Sequence, residues 1–321
     1  MKKKLFLMLP GLLLALLCAC APHEASQEEL AQEVSQTSAS SEADAALPET
    51  VPMETVPLKT GVQEENVAYF YYDAEGHRVE TDGMQELDGK RYYLNRDFSL
   101  HHFTKGINDC EGTVYVHTGE DGFSFSPAAE GYLELDGALY KVQADGSVLQ
   151  NAQEGYLTFG ADGKYTSGNE TLDDGVQALL DAACGKEASR EEKLRQVYDY
   201  IRDNFKYLSM QHYDAGTTDW AEEAALAFLE QGKGNCYCFA GLFLYCARRL
   251  GYQAYVVAGW ESKPTNDHAW TMIEQDGKTL LYDVQLEYAY LYMFNRDPVD
   301  MFAAEEENGL YRGFAYYFPT E

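Results

Sequence analysis

The stretch GKGNCYCFAGLFLYCARRLG, residues 232–251, restricts the fold more than any other part of the chain. Read as a helix, it places Cys236, Ala240, Phe243, Ala247 and Leu250 on one stripe. Phe239, Phe243, Cys246 and Leu250 fall on an adjacent stripe. A helix apolar over so wide a face needs packing on several sides, so it belongs at the centre of a core.

Its neighbours supply the packing. The pattern is helical from residue 172. Ser189 with Glu192 forms a capping-box signature ahead of KLRQVYDYIRDNF, whose Leu194, Val197, Ile201 and Phe205 share a face. A further helix is expected from Asp219 through AALAFLEQ, with Gly232 as its stop. A strand over 252–259 follows, then the hairpin HAWTMIEQ-DG-KTLLYDV. Residues 171–321 thus read as an α+β domain with a central buried helix, a strand and a hairpin.

Cys236 stands at the N-terminal end of the central helix, where unpaired N–H groups and the helix dipole favour a thiolate. Cys238 lies far around the helix and cannot readily pair with it, and Cys246 sits deeper as a packing residue. A thiolate nucleophile needs a proton carrier, usually an oriented histidine. With a two-residue turn at Asp276-Gly277, Gln275 pairs with Lys278, which sets His268 opposite Gln285 and Trp270 opposite Asp283. His268 and Asp283 then share a face as diagonal neighbours about 7–8 Å apart. Cys-x-Cys is not zinc-ligand spacing and no second pair follows, so a metal is not expected.

These motifs resemble the transglutaminase-like superfamily: Gly-x-Cys-x-x-x-Ala at 234–240, His268-Ala-Trp270 on a strand, and Asp283 at the end of the next. The resemblance covers about 185–290. It implies a papain-like fold, a Cys-bearing helix packed on an antiparallel sheet, with Cys236 as nucleophile, His268 as base and Asp283 as the orienting carboxylate. It implies acyl transfer or hydrolysis at peptide or protein amides through a thioester, with no cofactor. The oxyanion would be held by the N–H of Cys236 and an upstream donor, for which Trp220 and Gln211 are the candidates. Trp270 either shields the triad from water or caps the sheet. The tyrosine-rich tail, YAYLYMF to YRGFAYYF, reads as core, and Glu305 to Glu307 as a solvated loop.

Upstream, residues 67–168 alternate aromatic pairs with Gly turns. Tyrosines recur at 72, 93, 115, 140 and 156, and Asp-Gly pairs at 88, 121, 136, 145 and 162 mark hairpin turns. The run reads as a β-hairpin repeat module (67–170) with a period near 20 residues. It resembles the cell-wall-binding or choline-binding repeats of Gram-positive surface proteins, without their tryptophans. That implies contact with wall glycan through aromatic faces; a tyrosine-rich structural module is the other reading. His77, His101, His102 and His117 lie in it without evident partners, and the pair at 101–102 points to opposite faces.

The first 19 residues have three lysines and then an apolar run of secretory length. Leu17-Cys18-Ala19-Cys20 resembles a bacterial lipobox, which implies lipidation of Cys20 and a membrane-anchored mature chain on the outer face of the cell membrane. Residues 20–66, rich in Ser, Glu, Ala and Gln, read as a disordered stalk. The formal charge is −29, and loss of the three leader lysines takes it to −32. So acidic a surface repels phosphate backbones, which excludes nucleic acid as a partner and leaves membrane attachment to the acyl chain. Cys110, Cys184, Cys236, Cys238 and Cys246 then remain, an odd number that leaves at least one free thiol. The expectation is an exported, lipid-anchored cysteine enzyme. The alternatives are a cysteine peptidase or amidase acting on cell-wall peptides, and a non-catalytic wall-binding lipoprotein.

Overall fold

The computed structural model describes residues 57–210, 213, 217–261, 267–294, 296–305 and 314–317. The leader, Cys20, most of the stalk, Gln211, and Glu306 and Glu307 lie outside the described residues.

Short hairpins come first. They pair Gly61–Glu65 (β1) with Ala68–Tyr72 (β2), Gly83–Leu87 (β3) with Lys90–Leu94 (β4), and Gly106–Cys110 (β5) with Thr113–His117 (β6). Ser124–Phe125 (β7) adds to β4. Gly131–Leu135 (β8) then pairs with Ala138–Val142 (β9), and Ala152–Glu154 (β10) with Leu157–Phe159 (β11), which also pairs Tyr165–Thr166 (β12). β1 lies inside the stretch expected to be stalk. It has no aromatic residue of its own, but every residue of it pairs with the aromatic β2.

Asp88-Gly89 and Asp136-Gly137 form two-residue turns with both residues at positive φ, the geometry that a right-handed strand twist requires. Asp145 and Asp162 act differently: their carboxylates accept from the N–H two residues on, at Ser147 and Lys164, and shape longer loops. Asp121 does not make a hairpin turn; Gly122 bridges Phe103 instead, and Glu111-Gly112 closes the hairpin there. Tyr93, Tyr115 and Tyr140 are buried in the seams between hairpins. His117 is buried with partners on both ring nitrogens, the Ser126 N–H at 3.0 Å and the Glu120 carbonyl at 3.0 Å.

The helical part starts with Glu170–Ala183 (α1), capped by Asn169, and Arg190–Asn204 (α2), with the Ser189–Glu192 capping box in place. Lys206–Tyr207 (β13) leads to Ala221–Gln231 (α3), which ends at Gly232 in the left-handed conformation. Its N-cap is Trp220, not Asp219 as the sequence suggested; Trp220 is held in place by its indole bond to the Thr217 carbonyl. Lys233–Gly234 (β14) runs into the central helix, Cys236–Arg249 (α4). Gln253–Glu261 (β15), Asp267–Gln275 (β16) and Lys278–Tyr282 (β17) follow, then Val284–Tyr292 (α5), Ala304–Glu305 (β18) and Phe314–Tyr317 (β19). The last five strands form one antiparallel sheet in the order β18-β17-β16-β15-β19.

Every residue of α4 except Arg248 is buried. Each large apolar side chain there contributes about 1.5–3 kcal/mol by leaving water. Gly241 lets α3 approach backbone to backbone, because a Cβ there would lie 2.7 Å from the Ala221 carbonyl oxygen. On the sheet side, the Thr271 hydroxyl donates to the Ala240 carbonyl at 3.0 Å.

Hairpins and helices share one compact unit from Pro57 onward. Gln253 ties them together. Its carbonyl accepts from the Tyr156 N–H at 2.7 Å, while its amide donates to the Tyr132 hydroxyl at 3.0 Å and the Glu154 carbonyl at 3.2 Å. Arg249 reaches the Gly137 carbonyl and Gln177, and Lys193 pairs with Glu134.

Candidate active site

The loop into α4 is fixed before the helix begins. β13 and β14 pair in parallel, Tyr207 beside Gly234. Gly234 is required by space: a Cβ there would meet Cys238 Sγ at 2.5 Å. Asn235 is the N-cap, but only its carbonyl serves, accepting from Cys238 and Phe239; its buried side-chain amide makes no bond among the described residues. Cys236 is thus the first helical residue, and no carbonyl among the described residues accepts from its N–H. That N–H and the positive helix end face an incoming negative charge.

His268 Nε2 lies 2.5 Å from Asp283 Oδ2. The pair is enclosed, the imidazole 14% exposed and the carboxylate 1%. Burial opposes a charged ring, yet the Asp283 carboxylate outweighs it and holds the imidazole well above the usual histidine range; Cys236 acts in the same direction. With Nε2 committed to Asp283, Nδ1 is the nitrogen left for the thiol. The Trp270 ring lies beside the imidazole at 5.8 Å.

The structure brings His268 and Asp283 together by another route than a continued hairpin. Gln275 does pair with Lys278, but the ladder ends at Thr271 and Tyr282, and His268 has no partner at Gln285. Gln285 is helical. Asp283 turns out of the strand as the N-cap of α5 and accepts the Leu286 N–H on Oδ1 at 2.8 Å. One carboxylate therefore starts a helix with one oxygen and orients the imidazole with the other.

Behind Asp283 stands a network that no motif announced. The Tyr198 hydroxyl lies 3.0 Å from the Asp283 carbonyl and 2.8 Å from Glu287 Oε2. Glu287 also takes the Arg202 guanidinium at 2.6 Å. Burial, then the charge of Glu287, pushes the Tyr198 phenol well up, so it remains a donor. The only sequence signal was helical spacing on α2, where Tyr198 follows Leu194 by four.

Trp220 does not serve as the upstream donor, since its indole N–H is bound to the Thr217 carbonyl at 2.7 Å. All five cysteines from 110 onward are free. Burial pushes Cys110 up to about 12, and Cys184 and Cys238 up to about 11. The tail is only partly core: Tyr288 packs on Phe239, while Tyr292, Met293 and Phe294 are exposed.

Residues 177–280 match the family model of the transglutaminase-like superfamily. Residues 177–280 are a transglutaminase-like domain. The match begins on α1, takes in α4 and the His268 strand, and ends just short of Asp283. No curated protein matches the chain. Among solved structures, a TGase is similar at 20% identity over 42% of this chain and 35% of that one, with a TM-score of 0.30. A proposed cysteine protease from Cytophaga hutchinsonii is similar at 23% identity over 35% and 37%, with a TM-score of 0.28. Choline-binding protein F from Streptococcus pneumoniae, in the presence of a peptidoglycan analogue, is similar at 19% identity over 34% of each chain, with a TM-score of 0.24. The chain spans about a third of the length of these structures, and likenesses this distant assign neither substrate nor partner.

Proposed function

We propose that the transglutaminase-like domain is a cysteine enzyme that transfers or hydrolyses acyl groups at peptide or protein amides. The observation that carries this reading is the buried His268–Asp283 pair at 2.5 Å, together with a cysteine, Cys236, as the first residue of α4. The thiolate Sγ attacks the amide carbonyl carbon, and the carbonyl π pair moves onto oxygen. The tetrahedral oxyanion faces the Cys236 N–H. Collapse breaks the C–N bond, and the His268 imidazolium protonates the departing amine. A thioester remains on Cys236. Water or a second amine then attacks it, His268 takes the proton, and the thiol is regenerated.

The same steps serve a peptidase or amidase acting on wall peptides, which differs only in acceptor. The reading includes export, anchoring through lipidated Cys20, and contact between the hairpins and wall glycan. Because Tyr93, Tyr115 and Tyr140 are buried, such contact would use other faces of the module.

The test is turnover by the mature protein on glutamine peptides and purified wall fragments, with Cys236→Ala and His268→Ala as comparisons. Cys236→Ala is expected to abolish turnover and keep the wild-type unfolding midpoint. Full activity in Cys236→Ala rejects the reading.

A further inference from the structure

A cavity of about 440 Å³ lies where the turn of the β8–β9 hairpin meets α1, the start of α2 and the last residues of α4. This is the opposite end of α4 from Cys236, about 20 Å away along the helix axis. Its volume falls in the range of small-ligand sites, about 300–1,000 Å³. Arg249 lines it and is only 7% exposed. Nη2 of Arg249 donates to the Gly137 carbonyl and to Gln177 Oε1 at 2.6 Å, and both acceptors are neutral. Nε and Nη1 make no hydrogen bond among the described residues, yet neither is fully enclosed. Among the described residues no carboxylate comes within ion-pair distance of this guanidinium. Arg202, also largely buried, has Asp199, Asp203 and Glu287, and Arg248 lies over the Tyr156 and Tyr245 rings. A charge taken out of water is costly unless it is paired. Burial pulls Arg249 below the usual arginine range, and the charges of Glu134 and Asp181 only partly offset it.

The rest of the lining selects the ion that fits. Lys193 and Glu134 pair at 2.6 Å and largely cancel. Gln177 uses its other end to donate to Asp181 Oδ1 at 2.8 Å. Asp181 has no cation within ion-pair distance among the described residues, and exposed Lys186 has no anion. An unpaired guanidinium and an unpaired carboxylate thus border the cavity one side-chain amide apart. A dianion such as phosphate would be repelled by Asp181 and Glu134. A carboxylate matches the planar guanidinium fork, and an ammonium on the same molecule matches Asp181. In a dipeptide zwitterion those two groups are likewise held one amide apart. Leu180 and Leu250, both buried, add an apolar wall for a side chain.

We propose that this cavity is a binding site for a dipeptide zwitterion, with the ligand carboxylate on Arg249 and its ammonium toward Asp181. The site stands apart from the cysteine chemistry and does not rest on it. Cys184 lines the same cavity and is half-buried, so an occupant shields its thiol.

The test is calorimetric titration of the mature protein with glycyl-leucine at neutral pH, with site-resolved iodoacetamide labelling of Cys184 as the second readout. Glycyl-leucine is expected to bind and to slow the labelling of Cys184. Glycyl-leucinamide lacks the carboxylate and N-acetylglycyl-leucine lacks the ammonium. Each is expected to bind about 10–100-fold more weakly, the worth of one charge-assisted hydrogen bond. Asp181→Asn, on the exposed rim, is expected to bind glycyl-leucine no better than the acetylated compound. Arg249→Gln is expected to bind glycyl-leucine and its amide alike; if that variant does not fold, the amide reports the same contact in the wild-type protein. No binding of glycyl-leucine overturns the site. Binding that leaves Cys184 labelling unchanged puts the ligand elsewhere and also overturns it. Equal binding of the amide or of the acetylated compound overturns the zwitterion, and tighter binding of inorganic phosphate than of glycyl-leucine overturns the ligand class.

Discussion

Asp283 performs two tasks with two oxygens, and two substitutions separate them. Asparagine keeps an acceptor for the Leu286 N–H, so the cap on α5 survives. Toward His268 it replaces a charge-assisted bond worth about 1.5–3 kcal/mol with a neutral one worth about 1, a net loss of about 1 kcal/mol. Its amide donates to Nε2, however, which puts the ring proton on Nδ1, the nitrogen that must receive the thiol proton. Alanine loses the whole charge-assisted bond, about 2 kcal/mol, and the cap, about 1 kcal/mol. Asp283→Asn is thus expected to unfold about 1 kcal/mol and Asp283→Ala about 3 kcal/mol below wild type in urea. Both should lose chemistry to a similar degree, since a wrong tautomer in such triads costs roughly 10⁴-fold. The readouts are the urea midpoint and the rate of Cys236 alkylation near neutral pH. Equal stability of the two variants, or wild-type alkylation in either, refutes the assignment of one oxygen to each task.

Further consequences can be checked in the same way. Gly241→Ala gains about 1 kcal/mol in helix propensity, but its Cβ meets the Ala221 carbonyl oxygen, so a net destabilisation of about 1–3 kcal/mol should appear in urea unfolding; stabilisation would contradict the close approach of α3 and α4. Gln253→Ala removes the bonds to the Tyr156 N–H and the Glu154 carbonyl, and should cost about 2–3 kcal/mol and speed amide exchange over 152–159; unchanged exchange would show that Gln253 is not the tie. His268 has its folded pKa raised, so its ion pair stabilises fully below the unfolded value of about 6.5 and is lost as pH rises through the folded value. The stability gap between wild type and His268→Gln, followed by urea unfolding, should therefore shrink as pH climbs above 6.5; a gap that widens reverses the sign and the cause.

Much of this architecture is legible in residue patterns because the patterns are local. The all-round burial of α4 follows from its apolar stripes, the start of α2 from Ser189 and Glu192, and the turn of the central hairpin from Asp276-Gly277. The site residues meet for a reason that lies beyond strand periodicity. Tyrosine-rich sequence after Tyr282 looks like continuing strand, yet Asp283 followed by Gln285, Leu286 and Glu287 is also a helix start, and packing of Tyr288 on Phe239 decides in its favour. The support from Tyr198, Arg202 and Glu287 spans more than eighty residues of chain and leaves no local signature. Trp220 has the right residue type for an oxyanion donor, but only the fold shows its N–H already bonded to Thr217.

The most direct test of the central claim is site-resolved iodoacetamide labelling of the mature protein, comparing all five cysteines from 110 onward. Cys184 is the natural control, since it is half-buried with its thiol pushed up to about 11. The account predicts that Cys236 labels first near neutral pH, that Cys110, Cys184, Cys238 and Cys246 lag, and that His268→Ala removes the advantage. Labelling of Cys236 no faster than Cys184, or at the same rate in His268→Ala, would contradict a working thiol–imidazole–carboxylate site.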